Sequence, residues 1–397
     1  MTASLPPLYL IAQAERRLKA GHLWIYSNEI DTSRSPLREF EPGAQVQVMN
    51  PAGKPLGIAY VNPHTLIAAR LISRDHLLDK SLLVHRLQVA LSLRERLFDT
   101  PHYRLVYGDA DLLPGLVVDR YGDYLVVQLN TAGMERVRNA VIDALVQVLA
   151  PRGILFRNDS RVRAGEQLES SVEVVHGEVP AEIEVIENGC RFHTSVQEGQ
   201  KTGWFYDHRV ARSRLPHYVA GRRVLDVFSY IGGWGIQAAV AGASEVVFVD
   251  ASGPALERVG INAELNGVAD RCNGVQGDAT AVLRDLIARG ERFDTIILDP
   301  PAFIPRRKDQ KVGQQAYRRI NELAMRLLSR DGLLVSASCS LHLTREQLVD
   351  LIRAAGRHVD RHVQILEQHG QGPDHPVHPA IPETAYLKSV FCRVLTP

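Results

Sequence analysis

Between Arg223 and Ala337 short apolar runs alternate with helical segments, and this alternation restricts the fold more than any other feature of the chain. Strands are expected at Arg223–Phe228, Glu245–Asp250, Gly274–Asp278, Thr295–Asp299 and Leu333–Ala337. Helices such as Ala255–Asn266 and Tyr317–Leu328 separate them. Regular strand–helix alternation predicts a parallel, doubly wound sheet with helices on both faces. Two further runs, His362–Glu367 and Tyr386–Leu395, are joined by a loop rich in Pro, His and Gly, with no helix between them. They predict an antiparallel hairpin that closes the sheet. This α/β domain is assigned to residues 188–397.

A chain of 397 residues exceeds one ordinary core, so further domains are expected ahead of it. Residues 1–78 hold short alternating runs punctuated by turns: Gln45–Met49, the turn Asn50-Pro-Ala-Gly53, Leu56–Tyr60 and Leu66–Ile72. They read as a small β-rich domain. Residues 79–187 read as an α+β domain. Its elements are an amphipathic helix from about Leu78 to Thr100, strands at Tyr103–Tyr107, Leu116–Asp119 and Tyr124–Leu129, a helix at Met134–Leu149 and a strand at Gly153–Arg157.

Charge is nearly balanced, with 46 Lys and Arg against 45 Asp and Glu, a formal net charge of +1. A globally basic nucleic-acid binder is excluded, so any such contact must use local patches. Arg306, Arg307, Lys308, Lys311, Arg318 and Arg319 form one, against a single acid, Asp309. Arg157, Arg161 and Arg163 form a second. No apolar run is long enough to span a bilayer, and Met1–Leu10 lacks the pattern of a secretory leader. Cys190, Cys272, Cys339 and Cys392 are widely spaced, with no zinc pattern, so no metal is expected and the thiols fit a reducing cytoplasm.

The first strand of the alternating region runs into a glycine turn, Arg223-Val-Leu-Asp-Val-Phe-Ser-Tyr-Ile-Gly-Gly-Trp-Gly235. Gly232, Gly233 and Gly235 allow close backbone approach to a ligand and special dihedrals. In open α/β sheets the ligand lies outside the carboxyl ends of the strands. Asp250 ends the next strand, where a carboxylate can accept both hydroxyls of a ribose, and Asp278 ends the third, where it can reach an adenine edge. The glycines do not follow the dinucleotide spacing. The ordered set Asp226, Asp250 and Asp278, with the closing hairpin, resembles the class I methyltransferase superfamily. That resemblance implies S-adenosylmethionine here, with Asp226, Phe228, Ser229, Tyr230, Gly232 and Gly233 toward its methionine end, Asp250 on the ribose and Asp278 by the adenine.

Asp299-Pro-Pro-Ala-Phe303 ends the fourth strand, and its prolines fix the backbone that carries the Asp299 carboxylate. This motif serves nitrogen and carbon acceptors alike. Ser338-Cys-Ser340, after the fifth strand, favours carbon. Carbon 5 of a pyrimidine is too weak a nucleophile to take a methyl group directly. A Cys339 thiolate that adds to carbon 6 makes carbon 5 enamine-like, and Asp299 would hold the amino or N3 edge of a cytosine. The other three cysteines lack such placement.

Further motifs make the family recognisable: Gln200-Lys-Thr-Gly203 with Asp207-His-Arg209, Asp374-His-Pro376, Tyr386-Leu-Lys388, His22-Leu-Trp-Ile-Tyr-Ser27 and Gly108-Asp-Ala-Asp-Leu-Leu-Pro-Gly115. With those above, the chain resembles, over nearly its whole length, the ribosomal RNA large subunit methyltransferase I family, which makes 5-methylcytosine in 23S rRNA. The resemblance implies an N-terminal PUA domain, a central α+β domain and a methyltransferase domain, with Lys201 and Asp207 bordering the cofactor pocket. It also implies 23S rRNA as partner, unassembled or locally single-stranded, since a paired cytosine must be flipped out. A homodimer is left open. Many RNA cytosine-5 methyltransferases carry a second Cys just after Asp-Pro-Pro, where this chain has Ala302. The acceptor of the carbon 5 proton is therefore left between His375 and a water held by Asp299. Arg306, Arg307, Lys308 and Lys311 are expected to grip phosphates beside the target base. His22, Trp24 and Tyr26 are candidates for a second RNA surface, although aromatic residues of β domains more often fill the core. Two alternatives stay open: methylation of an RNA nitrogen or of a small molecule, which needs no Cys339, and a non-enzymatic RNA-binding assembly factor.

Overall fold

In the C-terminal half the central apolar runs form strands because they are covered on both faces, and more exposed strands flank them at the edges. In the computed structural model, which describes residues 5–397, they build a seven-stranded sheet. Met1–Ser4, the start of the stretch read for a leader, lie outside the described residues. In chain order the strands are β1 (Arg223–Val227), β2 (Glu245–Asp250), β3 (Cys272–Gln276), β4 (Phe293–Leu298), β5 (Leu328–Ser338), β6 (His362–His369) and β7 (Lys388–Leu395). Their spatial order is β3-β2-β1-β4-β5-β7-β6. The first five are parallel, and β7 runs antiparallel to both β5 and β6. Helices α1 (Gly235–Val240), α2 (Gly253–Leu265), α3 (Ala279–Ala288), α4 (Gln310–Leu327) and α5 (Arg345–His358) make the crossovers. A continuous core of Leu225, Val227, Val249, Ile296, Leu298, Tyr317, Leu334, Leu348 and Val390 fills the space between sheet and helices. Strand order reverses between β1 and β4, and the crevice outside their carboxyl ends is where such sheets bind ligands.

Two compact units share the chain. One holds the seven-stranded sheet and comprises Glu184–Thr194, Asp207–Gly372 and Ala385–Pro397. The other takes in the chain up to Ile183, then Ser195–Tyr206 and Pro373–Thr384. Within this second unit lie two five-stranded sheets. The first pairs Pro7–Tyr9, Gln45–Met49, Pro55–Val61, Ala69–Ser73 and Trp24–Ile25 around Leu8, Ile25, Val46, Val48 and Val61. The second orders Ser171–Gly177, Gly153–Asn158, Tyr124–Leu129, Leu116–Tyr121 and His102–Tyr107, with helices Lys80–Leu97 and Arg138–Leu149 packed together beside it. Tyr60 links the two: its ring joins the second core, and its hydroxyl donates to the Pro114 carbonyl at 2.9 Å. Arg70 and Glu166 form a buried ion pair between them at 2.8 Å.

Several expectations change on contact with the fold. The Arg157–Arg163 run is no basic surface. Arg157 is buried, pairs with Asp159 at 2.8 Å and donates to the carbonyls of Val196 and Gly199. Arg163 is buried too and bonds Glu135 and the carbonyls of Leu129 and Glu169. Only Arg161 stays exposed. The aromatic trio is mostly structural: His22 is buried, and Trp24 donates its indole N–H to Asp109 at 2.8 Å. The expected helix Met134–Leu149 is two helices, Ala132–Arg136 and Arg138–Leu149, parted at Val137. Strand β3 lies two residues earlier than expected, because the Asp278 carboxylate caps α3 by accepting the Ala281 N–H at 2.9 Å.

Candidate active site

The turn after β1 departs from ordinary backbone geometry. Phe228, Tyr230 and Gly232 all take positive φ, at 65°, 50° and 88°. Two bulky residues in the left-handed region cost of order 1–3 kcal/mol each, and such strain concentrates at ligand sites. The Asp250 carboxylate at the tip of β2 sustains the turn by accepting the Tyr230 N–H at 2.9 Å and the Ser252 N–H at 2.9 Å. Asp226 accepts the Gly235 N–H at 2.8 Å with one oxygen. Its other oxygen is buried with no partner among the described residues, and so is the hydroxyl of Ser229. Burial chiefly lifts the Asp226 carboxyl to about 7; the charges of Asp299 and Asp250 add to this, and the Gly235 N–H opposes it. Gly235 serves packing rather than ligand approach, since a Cβ there would lie 2.2 Å from the Phe248 ring. The Gly233 carbonyl is taken by the Gln237 side chain at 3.0 Å.

Asp299 follows β4 and is flanked by two groups that sequence reasoning gave no role. His208 Nε2 lies 3.1 Å from one carboxylate oxygen, and the Trp234 indole N–H donates to the other at 3.1 Å. The His208 and Trp234 rings meet edge to face at 5.4 Å. Burial raises the Asp299 carboxyl, but the His208 charge and hydrogen bond, helped by Trp234, outweigh that and hold it below its ordinary value. His208 stood in the Asp207-His-Arg209 run, but nothing local in sequence tied it to a residue so far along the chain. Asp207 itself is buried and accepts a hydrogen bond from the Tyr386 hydroxyl.

Cys339 is half-buried beyond the end of β5, the strand next to β4. A buried polar cluster holds its loop. Ser338 donates to the Tyr317 hydroxyl at 2.9 Å, and that hydroxyl meets the Ser340 hydroxyl at 2.9 Å. Ser340 also accepts the Ile304 N–H at 3.2 Å, which ties the loop to the segment after Asp299-Pro-Pro. Lys388, opposite Ser338 on β7, is buried and donates to the carbonyls of Ser340 and Leu343 at 2.6 Å each. Burial lowers its ammonium to about 8, against the opposing pull of a Cys339 thiolate. A cation so placed favours the thiolate form of a cysteine. Cys190, Cys272 and Cys392 are pushed up by burial, to about 11, about 11 and about 12, as inert thiols are.

Thus Asp226, Phe228, Ser229, Tyr230, Gly232, Gly233, Asp250, Asp278, Asp299 and Cys339 share one edge of one sheet. Lys201 belongs to the other unit, exposed and over the Phe205 ring at 4.8 Å. His375 also belongs there, buried, with Nδ1 3.0 Å from Asp374. The basic run leads into α4. Arg306 pairs with Asp309 at 3.0 Å, and Arg318 with Glu322 at 2.8 Å. Arg307, Lys308 and Lys311 are exposed, with no ion pair among the described residues.

Known proteins resemble the chain along its full length. Residues 150–391 match the S-adenosylmethionine-dependent methyltransferase family, and residues 8–74 match the PUA-like domain. The ribosomal RNA large subunit methyltransferase I of Erwinia tasmaniensis is 36% identical over 395 residues, covering 98% of this chain and 99% of that protein. Its namesake from Tolumonas auensis is 37% identical over 397 residues, with 98% and 99% covered. A methyltransferase crystallised with SAH shares the fold at a TM-score of 0.84 and 23% identity, over 98% of this chain and 100% of that one. A Streptococcus mutans chain described as a SAM-dependent methyltransferase does so at 0.82 and 22%, with 98% and 100% covered.

Proposed function

The chain belongs to the ribosomal RNA large subunit methyltransferase I family of S-adenosylmethionine-dependent methyltransferases, and on that footing we propose that it methylates carbon 5 of a cytosine in 23S rRNA through a Cys339 adduct at carbon 6. The observation that carries this reading is the half-buried Cys339 beside the buried Lys388, at the sheet edge that also holds Asp299 and the glycine turn.

The residues of the turn fit the cofactor. Among the described residues, a buried carboxylate oxygen of Asp226 and the buried hydroxyl of Ser229 lack partners. A cationic ligand there would offset the cost of ionising Asp226. Asp250 would take the ribose hydroxyls on lone pairs its two backbone bonds leave over, and Asp278 would stand by the adenine. When bound, the cofactor supplies an electrophilic methyl group. The chain's own residues prepare the base. Lys388 favours the Cys339 thiolate, which adds to carbon 6 and moves the carbon 5–carbon 6 π pair toward carbon 4, leaving carbon 5 nucleophilic. Asp299, kept ionised by His208, accepts from the exocyclic amino group and fixes the ring. After methylation, loss of the carbon 5 proton and departure of the thiolate restore the aromatic ring. Arg306, Arg307, Lys308 and Lys311, just past Asp299-Pro-Pro, would hold the flanking phosphates.

The test is a map of 5-methylcytosine in 23S rRNA from a deletion strain. One cytosine loses its methyl group in the deletion, regains it with the wild-type gene and does not regain it with Cys339→Ala. Full restoration by Cys339→Ala rejects the reading.

A further inference from the structure

The reaction needs protons moved at the base as well as a nucleophile. When the thiolate bonds to carbon 6, the displaced electron pairs leave charge on N3 of the cytosine, and the adduct is stabilised if N3 takes a proton. Asp299 alone is badly suited to give one, because its neighbours hold it ionised. Behind it stands His208, with Nε2 3.1 Å from the carboxylate and a ring that is almost wholly buried. The other ring nitrogen, Nδ1, is buried with no hydrogen-bond partner among the described residues. An imidazole fixed through one nitrogen to a single carboxylate exchanges its proton along that contact.

We propose that His208 and Asp299 form a proton-sharing pair, in which His208 stores the proton that Asp299 passes to N3 of the cytosine during thiolate addition and takes back when the thiolate leaves. The proposal rests on the cytosine reading above. The step balances: the sulfur–carbon 6 bond forms, the carbon 5–carbon 6 π pair becomes the carbon 4–carbon 5 π bond, and the former carbon 4–N3 π pair on N3 binds the proton. The proton comes from His208 Nε2 and crosses Asp299 to N3, which leaves His208 neutral and Asp299 ionised as before. Elimination reverses each transfer, so the pair ends as it began. His208 acts through Asp299 and is a positioning residue.

The groups facing the pair fit this role. Burial alone would lower the His208 imidazole, but the charge and hydrogen bond of Asp299 and the charge of Asp207 outweigh it, with Arg212 opposing, so the imidazolium persists above the ordinary histidine range. Asp226 also faces Asp299. Trp234 holds the second Asp299 oxygen and has no proton to exchange in this range, so it orients the carboxylate without competing for the relay. Since the protonated pair is the active form, activity falls as pH rises through the raised histidine value.

The experiment measures hydrogen–deuterium exchange at carbon 5 of cytosine in a target RNA, with no methyl donor, against pH. This reports thiolate addition and does not depend on methyl transfer. His208→Gln keeps a donor to Asp299 but cannot titrate; His208→Asn guards against a folding defect, and melting temperature and RNA affinity are followed for both. The expected result is a drop in exchange rate of about 100-fold with RNA affinity retained, and loss of the falling limb at high pH. Wild-type rate and an unchanged pH profile in His208→Gln would overturn the proposal, as would a lower rate with the falling limb intact. If the wild-type enzyme methylates carbon 5 yet shows neither exchange nor a Cys339 adduct, the adduct reading itself fails, and the relay with it.

Discussion

Burial, more than any neighbour, lifts the Asp226 carboxyl to about 7, and this links stability to function at one residue. In the unfolded chain the group loses its proton near pH 4. Between about pH 4 and 7 the folded state therefore binds the extra proton, and stability falls as pH rises through that window. Above it the ionised carboxylate costs on the order of 4 kcal/mol relative to an unperturbed acid. Asp226→Asn removes that cost while its side-chain oxygen can still accept the Gly235 N–H. The variant should melt higher than wild type at pH 8, with the gain shrinking toward pH 5, and should bind S-adenosylmethionine at least about tenfold more weakly, the loss of one charged contact. Calorimetric melting and titration at both pH values check this; a variant that binds the cofactor as well as wild type would remove Asp226 from the site.

Among the elements, β1, β2, β4 and the second half of β5 were legible because both faces of each are buried, so they read as unbroken apolar runs, whereas β3 is a largely exposed edge strand and was placed two residues late. The glycine turn was legible for a related reason, as Gly232 has φ of 88° and few other residues tolerate that. The basic runs were less so. A sequence shows that Arg157, Arg163 and Arg307 are cationic, but not that the first two are buried against backbone carbonyls while the third is exposed. The segment entering α4 keeps Arg307, Lys308 and Lys311 in solvent. Replacing all three by Ala should weaken binding of single-stranded target RNA and flatten its salt dependence by about 0.7 log units per lost phosphate contact. Fluorescence titration across a salt series measures both. An unchanged slope would assign this segment to plain surface.

At the level of the whole molecule, the chain leaves each unit and returns to it, and no local pattern announces this. Asp374 shows why. Its carboxylate accepts the Arg104 N–H at 3.0 Å and its carbonyl accepts from the buried Arg94 at 2.9 Å, partners more than 250 residues upstream. The Asp374-His-Pro376 run thus anchors a hairpin loop in the N-terminal unit, and His375 goes with it. His208 and Lys388 escaped assignment for the same reason, since each acts on a residue distant in sequence. The proposed bond between Cys339 and a cytosine can be trapped. RNA carrying 5-fluorocytosine at the target, incubated with enzyme and S-adenosylmethionine, blocks loss of the carbon 5 substituent and should trap a complex that survives denaturation. The expected result is a crosslink that mass spectrometry maps to Cys339 and that vanishes in Cys339→Ala while cofactor binding persists. A crosslink through another residue, or none from enzyme that methylates ordinary RNA at carbon 5, would contradict it.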